Sequence, residues 1–157
     1  MLEGPVTTNW DPAETQRVMS GLLAKHEKID AVYSDYSLGS VGALRAFVAA
    51  GRSIPLWTSQ DANELGCFWR DHKANNPNFQ LGNISGRNWI VRIALRKGVA
   101  AVEGIPDPEP SIINLPLIED SLSPDPKLKP ACSTSLPPDA LLSSHLTTDQ
   151  LKTLFGR

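Results

Sequence analysis

Three clusters of polar side chains in this sequence have the chemistry needed to bind a small polyhydroxylated ligand. Each cluster follows a short apolar segment with the composition of a buried strand. The clusters, together with one tryptophan, comprise Asp35, Tyr36, Ser37, Gln60, Asp61, Asn63, Ser85, Arg87, Asn88 and Trp89. Carboxylates and amides make paired hydrogen bonds to neighbouring hydroxyls, and an aromatic ring covers the C–H face of a sugar. We therefore expect a site for a monosaccharide or a related small polar ligand.

Some of these residues also have simpler structural roles, and the sequence leaves both roles open. Asp61 and Asn63 stand where a helix is predicted to begin, so each could cap its N-terminus. Trp89 could pack in a core as readily as against a sugar, and Arg87 could bond only to solvent or to a carbonyl group. Tyr36 directly follows a strand, which makes it the best-placed aromatic platform.

The sequence lacks the common motifs of enzymes. It contains no Gly-x4-Gly-Lys phosphate loop, no dinucleotide-binding glycine fingerprint, no Gly-x-Ser-x-Gly elbow and no His-Glu-x-x-His motif. His26, His72 and His145 are scattered along the chain, which argues against a histidine-centred catalytic set. We therefore predict a binding protein with no catalytic residues, no bound metal and no cofactor.

Helices and strands alternate in the part of the chain that must position these residues. A helix is predicted to begin after Asp11 as N-cap, and further helices are predicted over 40–50, 63–74 and 88–103. Strands are predicted over 29–34, 54–58, 79–85 and 111–118. This alternation predicts an α/β fold with a doubly wound parallel sheet. Ligands bind beyond the carboxyl ends of such strands, where the three polar clusters would meet.

The chain changes character after about residue 118. Residues 121–138 are rich in proline and are expected to follow the surface without regular structure. A capping box beginning at Thr147 then predicts a short last helix. We therefore divide the chain into a lobe over 1–118 and an extended proline-rich tail over 119–157. Cys67 and Cys132 are expected either to remain free or buried thiols or, in an exported protein, to pair as a disulfide.

Charge and hydropathy exclude two classes of partner. The formal net charge is −2 and no basic stripe is present, so nucleic acid is not an expected partner. No apolar run approaches the roughly 20 residues that a membrane span needs. Residues 1–5 also lack the basic and apolar regions of a signal peptide.

Several segments resemble the C-terminal lobe of type I periplasmic sugar-binding proteins of ABC transporters, specifically the ribose-binding group. The resemblance is carried by Asn9–Met19, Ile29–Ser34, Val41–Ala46 and Ala49–Gly51, and it covers about residues 9–118. Ser59–Asn63 with Trp69, and the tail from Asn114 through Cys132 to Phe155, are similar to a branch of sugar importers with an extended C-terminus.

The resemblance implies a substrate-binding component of an ABC-type sugar importer. Such a protein is periplasmic in its full-length form, delivers its sugar to an ABC permease and traps that sugar in a cleft between two lobes. The family's ligand contacts fall here at Tyr36 and Ser37, at Gln60 or Asp61, and at Ser85 with Asn88 as neighbour. The first pair departs from the family's usual Asn-Asp, with Asp35 one place earlier as a possible substitute.

The resemblance also implies that the N-terminal lobe is absent, so that the chain is a fragment. The helix over 88–103 would then belong with the missing half, and its apolar surface predicts a homodimer through residues near Trp89, Ile93 and Val99. Two other functions stay open. One is the effector-binding lobe of a lactose-repressor-type regulator, which shares the fold, and the other is an interaction domain without a small ligand.

Overall fold

The computed structural model describes residues 1–85, 90–143 and 146–156. Helices and strands alternate through the first two thirds of this part of the chain. The elements are α1 (Pro12–Lys25), β1 (Ala31–Tyr33), α2 (Ser37–Ala49), β2 (Leu56–Gln60), α3 (Asn63–His72), β3 (Leu81–Ile84), α4 (Ile90–Glu103), β4 (Glu119–Asp120) and α5 (Thr148–Leu154). Short 3₁₀ helices span Lys73–Asn75 and Pro126–Leu128. The predicted α/β class is confirmed.

The described strands form one open, mostly parallel sheet in the order β1-β2-β3-β4. Strands β1, β2 and β3 are parallel, with Tyr33 opposite Thr58 and Gln60 opposite Ile84. Strand β4 is antiparallel to β3 and pairs Glu119 with Asn83. The three parallel strands follow one another in chain order, so the reversal of strand order that defines a doubly wound sheet does not occur among them.

The predicted strand over 111–118 is wrong. The last strand of the described sheet comes immediately afterwards, at Glu119–Asp120, and it is antiparallel. Pro116 has no N–H group to donate to a ladder, and the first backbone bond to β3 is made by Ile118, whose N–H donates to Asn83 O at 2.9 Å. The apolar composition of this segment therefore does not make it a strand.

Two predicted helix starts are confirmed by their capping geometry. Asp11 accepts a hydrogen bond from the Glu14 N–H at 2.6 Å, and Pro12 takes the first helical position. At the start of α5, Thr147 and Gln150 form a reciprocal capping box. Both signals depend on residues within one turn, which is why they could be identified from the sequence.

The core lies between the sheet and helices α1, α2 and α3. Trp57 is fully buried and its ring meets that of Phe47 edge to face, with centroids 5.9 Å apart. Helix α1 packs so closely on α2 that a Cβ at Gly42 would stand 2.1 Å from the Pro12 carbonyl oxygen. Glycine at position 42 is therefore required by the packing of these two helices.

The tail is fastened along α3 by covalent and backbone contacts. Cys67 and Cys132 form a disulfide, with Cα atoms 4.6 Å apart. One residue away, a Cβ at Gly66 would stand 1.9 Å from the Ala131 carbonyl oxygen, so the tail backbone lies directly on the helix. Within the tail, Leu136 and Ala140 pack with Leu151 of α5 and form a small second core. The proline-rich segment thus packs along α3 and contains the short 3₁₀ helix at Pro126–Leu128.

Helix α4 is exposed along most of its length. Within its described residues, Ala100 alone is buried, and Val91, Leu95 and Val102 expose 68%, 67% and 89% of their surface. The segment that follows folds back on one side, where Lys97 pairs with Asp107 at 2.5 Å. None of the helices in the described ranges has both the length and the apolar character needed to span a membrane.

Candidate functional site

The parallel pairing of β2 and β3 brings two of the predicted polar clusters together. Gln60 ends β2 opposite Ile84, and the next residue, Asp61, donates its N–H to the Ile84 carbonyl oxygen at 3.0 Å. Ser85 directly follows Ile84, so Asp61 and Ser85 leave the sheet side by side. This is the carboxyl edge at which open α/β sheets bind ligands.

A hydroxyl from the tail bridges these two residues. Ser143 Oγ donates to the Asp61 carboxylate and lies 3.3 Å from Ser85 Oγ. Asp61 is buried, with 2% of its surface exposed. A carboxylate in this position needs hydrogen-bond donors, because an ionised carboxyl without partners is costly to bury. We refer to Asp61, Ser85 and Ser143 as the edge triad.

Asp61 does not cap α3, although it stands close to the start of that helix. The N-cap residue is Ala62, which has no side chain able to accept a hydrogen bond. The first helical N–H groups donate instead to the tail, from Asn63 to Ala140 O and from Glu64 to Pro138 O, both at 2.9 Å. The tail backbone therefore takes over the capping role, and the Asp61 carboxylate is directed to Ser143.

Asn63 holds the tail in place. Its Nδ2 lies 2.8 to 3.1 Å from three tail carbonyl oxygens, those of Ser133, Leu136 and Pro137. Its Oδ1 accepts the Ser133 N–H at 2.8 Å. An amide group carries two donor hydrogens, so the tail occupies the donors that a ligand would need. In this structure Asn63 fastens the tail and does not line an open site.

The first predicted cluster lies one strand away from the edge triad. Asp35 is exposed, Tyr36 is half-buried and Ser37 is buried at the first position of α2. The Tyr36 backbone carbonyl accepts bonds from the Ser40 N–H at 2.9 Å and from the Ser40 hydroxyl at 3.1 Å. These bonds order the local turn, and the Asp35 carboxyl group is exposed beside it.

A buried hydroxyl contact joins this cluster to β2. Ser40 Oγ lies 2.9 Å from Ser59 Oγ, and both residues are buried. This contact fixes the start of α2 against the end of β2, so the first and second clusters have a rigid connection. The remaining predicted site residues, Arg87, Asn88 and Trp89, lie outside the described residues.

A second buried carboxyl lies beside the edge triad. Glu119 on β4 accepts hydrogen bonds from Asn83 Nδ2 at 2.7 Å and from the Ala131 N–H at 2.9 Å. Burial raises the pKa of Glu119 above its ordinary value, the nearby Asp61 adds to this effect and the two hydrogen bonds oppose it. Within the described residues, Asn83 Oδ1 is buried and has no hydrogen-bond partner.

The sequence analysis missed Ser143, Asn83 and Glu119. A signal existed for Asn83, since a polar residue inside the apolar stretch of β3 must find a buried partner. No local signal could have identified Ser143, whose position depends on the path of the whole tail. Among the described residues, no group of three or more His, Cys, Asp or Glu side chains is arranged to hold a metal ion.

Comparison with known proteins finds similarity to a solved structure. No family model matches the sequence, and no curated protein matches it. A crystal structure of a protein from Mycobacterium smegmatis is similar over 71% of this chain, with 23% sequence identity and a TM-score of 0.44. The aligned part is 36% of that protein's chain, so the present chain spans about a third of its length.

Proposed function

We propose that this chain is part of the substrate-binding component of an ABC-type sugar importer and binds a monosaccharide at the carboxyl edge of its sheet. The observation that supports this most strongly is the edge triad. Asp61 there accepts a hydrogen bond from an aliphatic hydroxyl, the Ser143 side chain, in a buried setting. A sugar hydroxyl is chemically the same donor, so it can take the same place on the carboxylate.

The residues around the edge triad provide the other contacts that a sugar ring requires. The Gln60 amide ends β2 beside Asp61 and is half-buried, so it can donate to a second hydroxyl. The Tyr36 ring is our proposed apolar wall, and Asp35 is a second carboxylate acceptor. Arg87, Asn88 and Trp89 remain proposed contacts from the sequence. Because Asp61 is buried, we propose that an incoming sugar displaces Ser143 from it.

The disulfide favours an exported protein over a regulator. Disulfides form and persist in oxidising compartments such as the periplasm and are rare in the cytosol. Cys67 and Cys132 join the tail to α3 across 65 residues of chain, so this bond holds the tail that carries Ser143. An effector-binding lobe of a lactose-repressor-type regulator would act in the cytosol. We therefore propose a periplasmic protein that passes its sugar to an ABC permease.

A thermal-shift survey of pentoses and hexoses tests the proposal on the complete product of the gene that encodes this chain. We expect at least one sugar to raise the melting temperature, because binding to the folded state alone stabilises it. A survey in which no sugar changes the melting temperature would contradict the proposal. The gene upstream of Met1 provides an independent test, since an encoded signal peptide supports import and a helix-turn-helix favours the regulator.

A further inference from the structure

Helix α4 carries an exposed apolar face that the described part of the chain leaves uncovered. Val91, Leu95, Val99 and Val102 are all exposed, Val99 least at 45%. At 3.6 residues per turn these four side chains fall within roughly 80° of one another around the helix. Such a narrow apolar stripe on a helix is typical of a surface that packs against a second helix.

Two opposite charges flank this stripe on the same side. Arg92 stands near the start of α4 and Glu103 at its end, and helical geometry puts their directions only about 20° apart. Both residues are exposed. Neither forms an ion pair with another described residue, whereas Arg96 and Lys97, which lie farther around the helix from the stripe, pair with Glu109 and Asp107.

We propose that a second copy of this chain covers the stripe, with the two α4 helices antiparallel about a two-fold axis. In this arrangement Leu95 lies against the partner's Val99, and Val91 lies against the partner's Val102. The same register brings Arg92 beside the partner's Glu103. The two-fold axis repeats each of these contacts, so the interface contains two such ion pairs.

The charges select this arrangement over a parallel one. In an antiparallel pair, the charged flank of one helix lies beside the same flank of the other helix, which runs in the opposite direction. Arg92 of one copy therefore lies beside the partner's Glu103. In a parallel pair, a two-fold axis along the helices would place the charged flank of each helix beside the opposite flank of its partner, so Arg92 and Glu103 would not meet these opposite charges. Opposite the charged flank, Ala94, Gly98 and Ala101 are exposed, and a Cβ at Gly98 would have open space around it. These small side chains allow two helices to approach closely.

The size of the stripe limits the strength of this dimer. A helix of 14 residues is about 21 Å long, which provides less than the ~800 Å² per partner that a stable interface buries. We therefore expect a weak dimer with a dissociation constant in the micromolar range.

Sedimentation equilibrium across about 1–300 µM protein tests the proposal, since this range brackets a micromolar dissociation constant. Leu95→Glu puts a charge in the centre of the stripe and should weaken dimerisation by about 100-fold or more. Arg92→Glu replaces two attractions with two repulsions and should weaken it by about tenfold. Adding Glu103→Arg to Arg92→Glu should restore the affinity to within about threefold of the unmodified chain. All of the changed residues are exposed, and circular dichroism will verify that each variant is folded.

Arg17→Glu is the matched control, because it makes the same change of charge at an exposed position on α1. It should leave the dissociation constant unchanged. A monomer throughout the concentration range would overturn the proposal and indicate that something other than a second copy covers α4. A dimer that tolerates both Leu95→Glu and Arg92→Glu would overturn it as well. Failure of the double charge exchange to restore affinity would overturn the antiparallel register. The experiment needs no sugar, so its outcome is independent of the proposed function.

Discussion

The disulfide should be the main support of the tail, and its removal allows a quantitative test. Cys67 and Cys132 are 65 residues apart, so the bond excludes a large set of unfolded conformations. In the chain-entropy model, a loop of this length contributes roughly 4 kcal/mol to the free energy of unfolding. Domains of this size have about 5–15 kcal/mol in total, so the bond would supply a quarter or more of the stability.

Non-covalent contacts reduce the structural consequences of removing the bond but not the entropic cost. The Asn63 amide and the two α3 N–H groups still bind tail carbonyls in the reduced protein. We therefore expect Cys67→Ala/Cys132→Ala to keep the native fold while its free energy of unfolding falls by roughly 2–4 kcal/mol. Urea unfolding followed by far-UV circular dichroism measures this difference directly.

Reductant provides the control for this prediction. The unmodified chain should lose the same free energy in reducing buffer, whereas the double alanine variant should not respond to reductant. A loss below about 0.5 kcal/mol, within the range of an ordinary surface substitution, would refute the reasoning. It would mean that the unfolded chain gains little freedom when the bond is broken.

Two further predictions concern the tail and the buried carboxyl. Gly66→Ala places a Cβ 1.9 Å from the Ala131 carbonyl oxygen, so it should lower the free energy of unfolding in urea by about 1–3 kcal/mol. The control is Gly21→Ala, whose Cβ would have no heavy atom within 4 Å. It should leave the free energy of unfolding unchanged or raise it by up to about 1 kcal/mol. Equal effects of the two alanines would contradict the close approach of the tail. The pKa of Glu119 is raised above its ordinary value of 4.5, so its contribution to stability is fully present below pH 4.5 and is lost as pH rises through the raised pKa. Relative to Glu119→Gln, which cannot lose that proton, the unmodified chain should become less stable as pH rises above 4.5. A pH-independent difference in unfolding free energy would contradict this.

Local signals account for the parts of the fold that the sequence predicted correctly. The Asp11 cap and the Thr147 capping box each involve side chains and N–H groups three residues apart, so the sequence contains the whole interaction. The central strands could be predicted because a short, apolar, β-prone segment between polar residues is typical of a buried strand. Of the residues expected on the apolar surface of α4, Val99 is exposed and Ile93 is half-buried, whereas Trp89 lies outside the described residues.

Long-range contacts account for what the sequence did not predict. Strand β4 exists because Glu119 pairs with Asn83, 36 residues earlier, and composition carries no information on such a register. Asn63 was expected at a ligand or a helix cap, yet the tail occupies its amide. The position of Ser143 depends on the disulfide and on the tail's approach to α3, neither of which is encoded near Ser143.

Calorimetric titration with the sugar identified in the thermal-shift survey tests the central claim most directly. In the complete gene product, Asp61→Ala should weaken binding by about 1.5–3 kcal/mol, or roughly 10- to 150-fold, because a charged hydrogen-bond partner of the sugar is lost. Asp61→Asn, which keeps the shape of the buried side chain, separates this loss from misfolding and should also weaken binding. The control Asp30→Ala changes an exposed carboxylate paired with Lys28 before β1 and should leave the affinity unchanged. Unchanged affinity in both folded Asp61 variants would contradict a sugar site at the carboxyl edge of the sheet.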